Sequence, residues 1–92
     1  MDQYYTFTGA GSLPDRFKTE GRYSEICLGK DGDTFPSSVK IQKVAQDGGV
    51  ITLREFTSAP TNRGVLLETS PNSTIDITVT GALYVELNNL AE

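Results

Sequence analysis

Apolar and polar side chains alternate with a period of two along much of the chain. Residues 74–80 show this most clearly, because Ile75, Ile77 and Val79 occupy every second position and polar residues fill the positions between them. In a β-strand, side chains two positions apart lie on the same face. The pattern therefore predicts a strand with one aliphatic face turned towards a core, followed by a further strand over residues 82–87.

Glycine-rich turns indicate how the predicted strands connect. Gly81 separates the two strands just described, as the centre of a tight hairpin or as a bulge within one bent strand. Upstream, residues 38–44 and 50–56 also alternate, and the run from Asp47 to Gly49 between them is a turn sequence. This arrangement predicts a hairpin, with a bulge or the strand's end at Val44, where the alternation breaks.

The remaining segments favour an all-β fold. No window of eleven residues has helical periodicity, and turn sequences separate the strand-like segments at intervals of roughly 8–12 residues. Weaker strand patterns occur at residues 4–8, 16–18, 22–28 and 63–69. We therefore predict a small antiparallel β-sandwich or a partly open β-barrel of about 7–8 short strands. One domain spans residues 1–92, and residues 1–12 are a candidate N-terminal arm.

Composition argues against several classes of function. The chain has 92 residues, no His and one Cys, so a Ser-His-Asp site, a Cys-His site and a zinc site lack necessary residues. The chain has eight basic and 12 acidic residues, and it lacks the Lys and Arg clusters that bind nucleic acid. There is no apolar run of membrane-spanning length and no signal-peptide pattern. We expect a protein made in a cytoplasm, with no enzyme activity, cofactor, metal, nucleic-acid partner or membrane contact.

A few residues merit consideration as sites of chemistry. Cys27 lies in a predicted strand and is expected to be a core or half-buried structural thiol. Asp31 and Asp33 flank a glycine, and we interpret them as part of a polar turn, because the full EF-hand pattern is missing. The alternative is a calcium clamp completed by Glu25 or Asp47. Scattered carboxylates are the only basis for an enzymatic alternative of the glycosidase kind.

Tyrosines and loops supply the candidate contact surface for a partner. Tyrosine is enriched at interfaces, and loops bear binding residues more often than strands do. We expect the surface to come from residues 4–7 and from two loops, residues 29–35 and 58–62. The candidate partner-binding residues are Tyr4, Tyr5, Phe7, Phe35, Pro60 and Asn62.

The second half of the chain has a recurring order of strands and turns. A hairpin leads through a loop to an aliphatic strand, and a short turn then opens into a strand that ends in Thr-Gly before a last aliphatic strand. These segments are Val39 to Gln42, Asp47 to Leu53, Val65 to Glu68, Ile77 to Gly81 and Leu83 to Leu87. Over about residues 38–88 the order resembles small β-sandwich virion proteins of tailed bacteriophages, of the decoration or tail-accessory type.

The resemblance implies a structural component of a virion, made in the host cytoplasm. Within that class it implies a capsid decoration (cement) protein that binds neighbouring capsid subunits, or else a small tail or head-fibre adaptor. A sheet edge could pair with a neighbouring subunit, and a homotrimer is one closed arrangement. The alternative outside that class is a carbohydrate- or ligand-binding β-module, which the tyrosines and the Asp31–Asp33 turn suggest.

Overall fold

The computed structural model describes residues 2–90, which form nine β-strands. The strands are β1 (Gln3–Phe7), β2 (Gly11–Ser12), β3 (Phe17–Lys18), β4 (Tyr23–Leu28), β5 (Val39–Val44), β6 (Val50–Phe56), β7 (Gly64–Glu68), β8 (Thr74–Val79) and β9 (Leu83–Asn89). Every strand pairing is antiparallel. The described residues include no helix long and apolar enough to cross a membrane.

The strands form two sheets. The first sheet has the order β1-β9-β4-β7, and the second has the order β2-β8-β5-β6 with β3 also paired to β8. Ser12 is opposite Thr78 and Phe17 is opposite Ile75, so β2 and β3 form one strand interrupted by an outward excursion. Counted in this way, the order is that of an eight-stranded jelly roll. The predicted small antiparallel β-sandwich is confirmed.

The core lies between the two sheets and follows from the alternation. Ile75, Ile77 and Val79 on β8 face it, as do the aliphatic residues of β9. The buried hydrophobic residues are Phe7, Leu13, Phe17, Ile26, Leu28, Val39, Ile41, Val65, Leu67, Ile75, Ile77, Val79, Leu83, Val85 and Leu87. Burial of one such side chain contributes about 1.5–3 kcal/mol, so this layer supplies most of the driving force for folding.

The predicted β5–β6 hairpin is confirmed, whereas the role predicted for Gly81 is wrong. β8 and β9 lie in different sheets, so Gly81 is in a turn that crosses between sheets rather than in a hairpin or a bulge. The crossing is tied to the start of β5, because Ser38 N donates to Thr80 Oγ1 at 2.9 Å and Thr80 N donates to Ser38 O at 3.1 Å. Alternation identifies a strand but not the sheet to which it belongs.

Most of the candidate N-terminal arm is part of the sandwich. Residues 3–7 pair with β9 along their whole length, and residues 11–12 pair with β8. At the other end of the chain, β9 extends through Asn88 and Asn89. Residue 1 and residues 91–92 lie outside the described part of the chain.

A buried carboxylate explains the interruption between β2 and β3. Asp76 is only 4% exposed although it points away from the core. Its Oδ1 accepts hydrogen bonds from Leu13 N at 3.1 Å and Ile77 N at 2.8 Å. Its Oδ2 lies 3.4 Å from Arg16 Nε. The excursion between the two short strands thus folds over Asp76 and satisfies the oxygens of its carboxylate.

Candidate functional site

The outer face of the first sheet combines exposed apolar side chains with carboxylates and a thiol. Strand pairing puts alternate residues of β1, β9, β4 and β7 on the side opposite the core. We call this surface the tyrosine face, and it consists of Tyr4, Thr6, Tyr23, Glu25, Cys27, Leu66, Glu68, Tyr84, Glu86 and Asn88. Because the side chains are mounted on paired strands, their relative positions are fixed by the backbone.

Two large apolar side chains are exposed on this face. Tyr4 on edge strand β1 is 65% exposed, and Leu66 on the opposite edge strand β7 is 56% exposed. The Tyr4 ring lies 6.2 Å from the Tyr84 ring, centroid to centroid. The backbone O of Leu66 accepts a hydrogen bond from Arg54 Nη2 of the second sheet at 3.3 Å. Tyrosine is enriched at protein interfaces, so this face is a candidate contact surface.

The centre of the tyrosine face is electronegative. Cys27 lies between the carboxylates of Glu25 and Glu86, and its Sγ donates to Glu25 Oε1 at 3.7 Å. Partial burial, the two charges and this hydrogen bond raise the pKa of Cys27 to about 11. The Tyr84 hydroxyl donates to Glu86 Oε2 at 2.6 Å, and that hydrogen bond is the main reason that the pKa of Tyr84 rises to about 12.

Cations lie at the rim of this face rather than at its centre. Lys30 Nζ is 4.6 Å from the centroid of the Tyr84 ring, a cation–π contact. Arg22 Nη2 lies 2.6 Å from Glu68 Oε2, and both side chains are exposed. Within residues 2–90, no Lys or Arg forms an ion pair with Glu25 or Glu86. The two central carboxylates therefore keep their negative charge available to a partner.

A groove opens at the end of the sandwich next to Tyr84. We call it the end groove; it has a volume of about 590 Å³ and is lined by Thr6, Phe7, Lys30, Asp33, Thr34, Phe35, Pro36, Gly81, Ala82, Leu83 and Tyr84. Arg63 holds the loop that forms one wall, because it donates to Leu28 O at 2.9 Å and to Asp33 O at 3.1 Å. Tyr84 belongs both to this groove and to the tyrosine face.

The three predicted contact residues of β1 divide between the two sides of the strand. Tyr4 points outward on the tyrosine face. Tyr5 is half-buried and packs edge-on against Phe7, with ring centroids 4.9 Å apart. Phe7 is 4% exposed and belongs to the core. Only Tyr4 therefore offers a partner its ring without any rearrangement of the sandwich.

The other predicted contact residues lie in the loops at the end-groove end. Phe35 is half-buried, lines the groove, and has the Arg63 guanidinium 5.7 Å from its ring centroid. Pro60 is half-buried and Asn62 is exposed, and Asn62 Oδ1 accepts a hydrogen bond from Gly64 N at 3.0 Å. The Asn62 side chain thus stabilises its own loop.

The sequence patterns did not identify the centre of the tyrosine face as a candidate contact surface. Glu25, Cys27, Leu66 and Glu86 are not among the predicted contact residues, although the alternation does place each of them opposite a core residue on its strand. What brings them together is the position of β9 between β1 and β4. Strand order is a property of the whole chain, and no local pattern contains it.

The Asp31–Asp33 loop closes on itself. Lys30 N donates to Asp33 Oδ2 at 3.0 Å, and Asp33 N donates to Lys30 O at the same distance. Asp47, one residue considered for a calcium clamp, accepts a hydrogen bond from Gly49 N at 2.9 Å within its own turn. In the described part of the chain, no three His, Cys, Asp or Glu side chains are grouped so that they could hold a metal ion.

Comparison of the chain with protein-family models, with curated proteins and with solved structures gave no match. The jelly-roll order is found in viral capsid domains, lectins and cupins. Because one fold serves many functions, the function has to be argued from the surfaces described above.

Proposed function

We propose that this chain is a non-enzymatic structural protein of a phage particle, a capsid decoration (cement) protein that binds neighbouring capsid subunits. The observation that supports this most is the tyrosine face, where exposed Tyr4 and Leu66 lie at opposite edges of one four-stranded sheet. The resemblance of residues 38–88 to small β-sandwich virion proteins points to the particle as the place of binding.

The size of the tyrosine face sets how much of such a contact it can form. Its four strands are five to seven residues long and lie about 4.8 Å apart, so the sheet itself covers roughly 400 Å². One partner buries about 800 Å² in a standard interface. The tyrosine face can therefore form the centre of the contact, and the loops beside it supply the rest.

Tyrosine anchors on a sheet also lower the cost of binding. Strand pairing fixes the backbone of Tyr4 and Tyr84, and the hydrogen bond to Glu86 holds the Tyr84 side chain before the partner arrives. Little side-chain or loop freedom is then lost on docking, which raises the affinity obtained from a given contact area.

Quantitative mass spectrometry of purified particles tests the proposal. Hundreds of copies per particle, together with binding of the isolated chain to particles that lack it, would support a decoration protein. A handful to a dozen copies would instead indicate a tail or head-fibre adaptor. If the chain were absent from particles and did not bind to them, the proposal would be wrong.

A carbohydrate- or ligand-binding module is the second candidate, and the end groove supports it. The Tyr84 ring borders the groove, and Lys30, Asp33 and Thr34 supply polar groups beside it. An aromatic ring next to hydrogen-bonding groups is a suitable place for a small ligand. Calorimetry with a glycan panel, with and without calcium, tests this candidate, and heat that Tyr84→Ala abolishes would support it. Absence of heat in both conditions would refute it.

A further inference from the structure

The two central carboxylates of the tyrosine face restrict what can cover it. Glu25 and Glu86 are half-buried, and neither has an ion-pair partner within residues 2–90. Two other carboxylates on the outer faces do have ion-pair partners, since Glu68 pairs with Arg22 and Asp76 with Arg16. A wholly apolar partner would desolvate the two uncompensated charges, which costs several kcal/mol for each ion. A partner that covers Tyr4 and Leu66 therefore has to bring positive charge.

The aromatic rings favour the same kind of partner. Lys30 already lies over the Tyr84 ring, so this surface accommodates an ammonium group against an aromatic face. Tyr4 is 65% exposed and is opposite Glu86 in the strand register. Glu86 is in turn opposite Cys27, the neighbour of Glu25. An aromatic ring and a carboxylate side by side suit Arg above all, because a guanidinium both stacks on rings and forms paired hydrogen bonds.

A second copy of this chain fits the face less well. A twofold axis through the centre of the tyrosine face would bring Glu25 and Glu86 against the same carboxylates of the other copy, and like charges repel. The outer face of the second sheet has cations, but Arg16 is paired with Asp76 and Lys40 is opposite Glu55 in the strand register. The exposed Lys18, which is opposite Thr74, is a single cation facing two carboxylates. Charge complementarity therefore points to a different protein.

We propose that the tyrosine face binds a cationic segment of the capsid partner, with an Arg or Lys side chain seated against Tyr4, Glu86 and Glu25. This inference rests on the proposed function, because the partner is taken to be a capsid subunit. It adds the chemistry of the contact and the residues that recognise the partner.

A peptide experiment tests the chemistry without a particle. Hexa-arginine is titrated into the full chain, and binding is followed by NMR chemical-shift changes. The double variant Glu25→Gln/Glu86→Gln should weaken binding about tenfold or more. The matched control, Asp15→Asn/Glu55→Gln, removes the same charge elsewhere and should change binding less than about twofold. Equal weakening in both variants, or shifts away from the tyrosine face, would overturn the inference.

A particle experiment separates this inference from the proposed function. Wild-type chain and the two double variants are added to particles that lack the protein, and occupancy is measured. Loss of occupancy in Glu25→Gln/Glu86→Gln alone supports the cationic partner. Wild-type binding that neither variant changes overturns the inference and leaves the proposed function in place, whereas no binding by the wild type overturns the proposed function. Self-association in light scattering that only Glu25→Gln/Glu86→Gln abolishes would make a second copy the occupant, against the inference.

Discussion

The substitution Glu25→Gln should lower the pKa of Cys27. Partial burial is the first cause of the raised value, followed by the charges of Glu25 and Glu86 and the hydrogen bond to Glu25. Loss of the Cys27 proton would place a third negative charge beside two carboxylates. Replacement of Glu25 by the isosteric amide removes one of those charges and the ionised hydrogen-bond acceptor together, at nearly constant shape.

The size of the effect can be worked out from the raised pKa. The pKa of Cys27 is about 11, against a reference value of 9.0. At pH 9 the thiolate fraction is therefore about 1% instead of about one half, and alkylation should be about fifty-fold slower than in an unfolded chain. In Glu25→Gln the pKa should lie between these two values, because the contributions of burial and Glu86 remain. The pKa of Cys27 should fall less in Glu86→Gln than in Glu25→Gln, because Glu86→Gln removes a charge but no hydrogen bond to the thiol.

The assay is the rate of iodoacetamide alkylation between pH 7 and 12, followed by intact mass. The control is Glu68→Gln, a glutamate on the same face that is paired with Arg22 and does not contribute to the raised pKa of Cys27. Its alkylation profile should match that of the wild type. The midpoint of the alkylation profile could lie near pH 9 in the wild type, or at the same pH in the wild type and in Glu25→Gln. Either result would refute the electronegative centre that we assign to this face.

Four further predictions concern stability, measured as the free energy of unfolding in urea. Ile77→Val should cost about 1 kcal/mol, since Ile77 is fully buried, and no loss would contradict the core packing. Asp76→Ala should cost about 1–3 kcal/mol, because Ile77 N loses its acceptor and Arg16 its ion pair, whereas Leu13 N keeps its hydrogen bond to Ile77 O. A loss below about 0.5 kcal/mol would contradict this role. Ser24→Ala should change stability by less than about 0.5 kcal/mol, since the buried Ser24 hydroxyl has no hydrogen-bond partner within residues 2–90. A loss above about 2 kcal/mol would show that this hydroxyl does make a stabilising contact. Stability should fall as pH rises from 9 towards 11, because over this range Cys27 loses its proton in the unfolded state but keeps it in the folded state. The fall should be smaller in Cys27→Ser, and an equal fall in both would contradict the linkage.

The strands could be predicted from the sequence because burial on one face forces a period of two. Ile75, Ile77 and Val79 alternate in the sequence and are all buried. β2 escaped prediction because it has only two residues, one of them glycine, and its position is set by pairing with β8. Short strands of this kind are defined by their neighbour and not by their own side chains.

Alternation also misplaces polar residues whose environment is built by distant segments. Asp76 occupies an outward position, so the pattern predicts a solvated carboxylate. The structure buries it beneath residues 13–16, where Arg16 and two backbone N–H groups satisfy it. The tyrosine face was only partly predicted for the same reason, because Tyr4, Glu86 and Cys27 form one row only through the order of the strands.

A cryo-electron microscopy reconstruction of particles that contain the chain would show which face of the sandwich binds the capsid. We expect the tyrosine face to lie against the shell, with Tyr4 and Leu66 in contact with capsid subunits and a basic capsid side chain near Glu25 and Glu86. The second sheet should then face solvent. A reconstruction with the second sheet against the shell, or with the tyrosine face open to solvent, would show that the proposed contact surface is wrong.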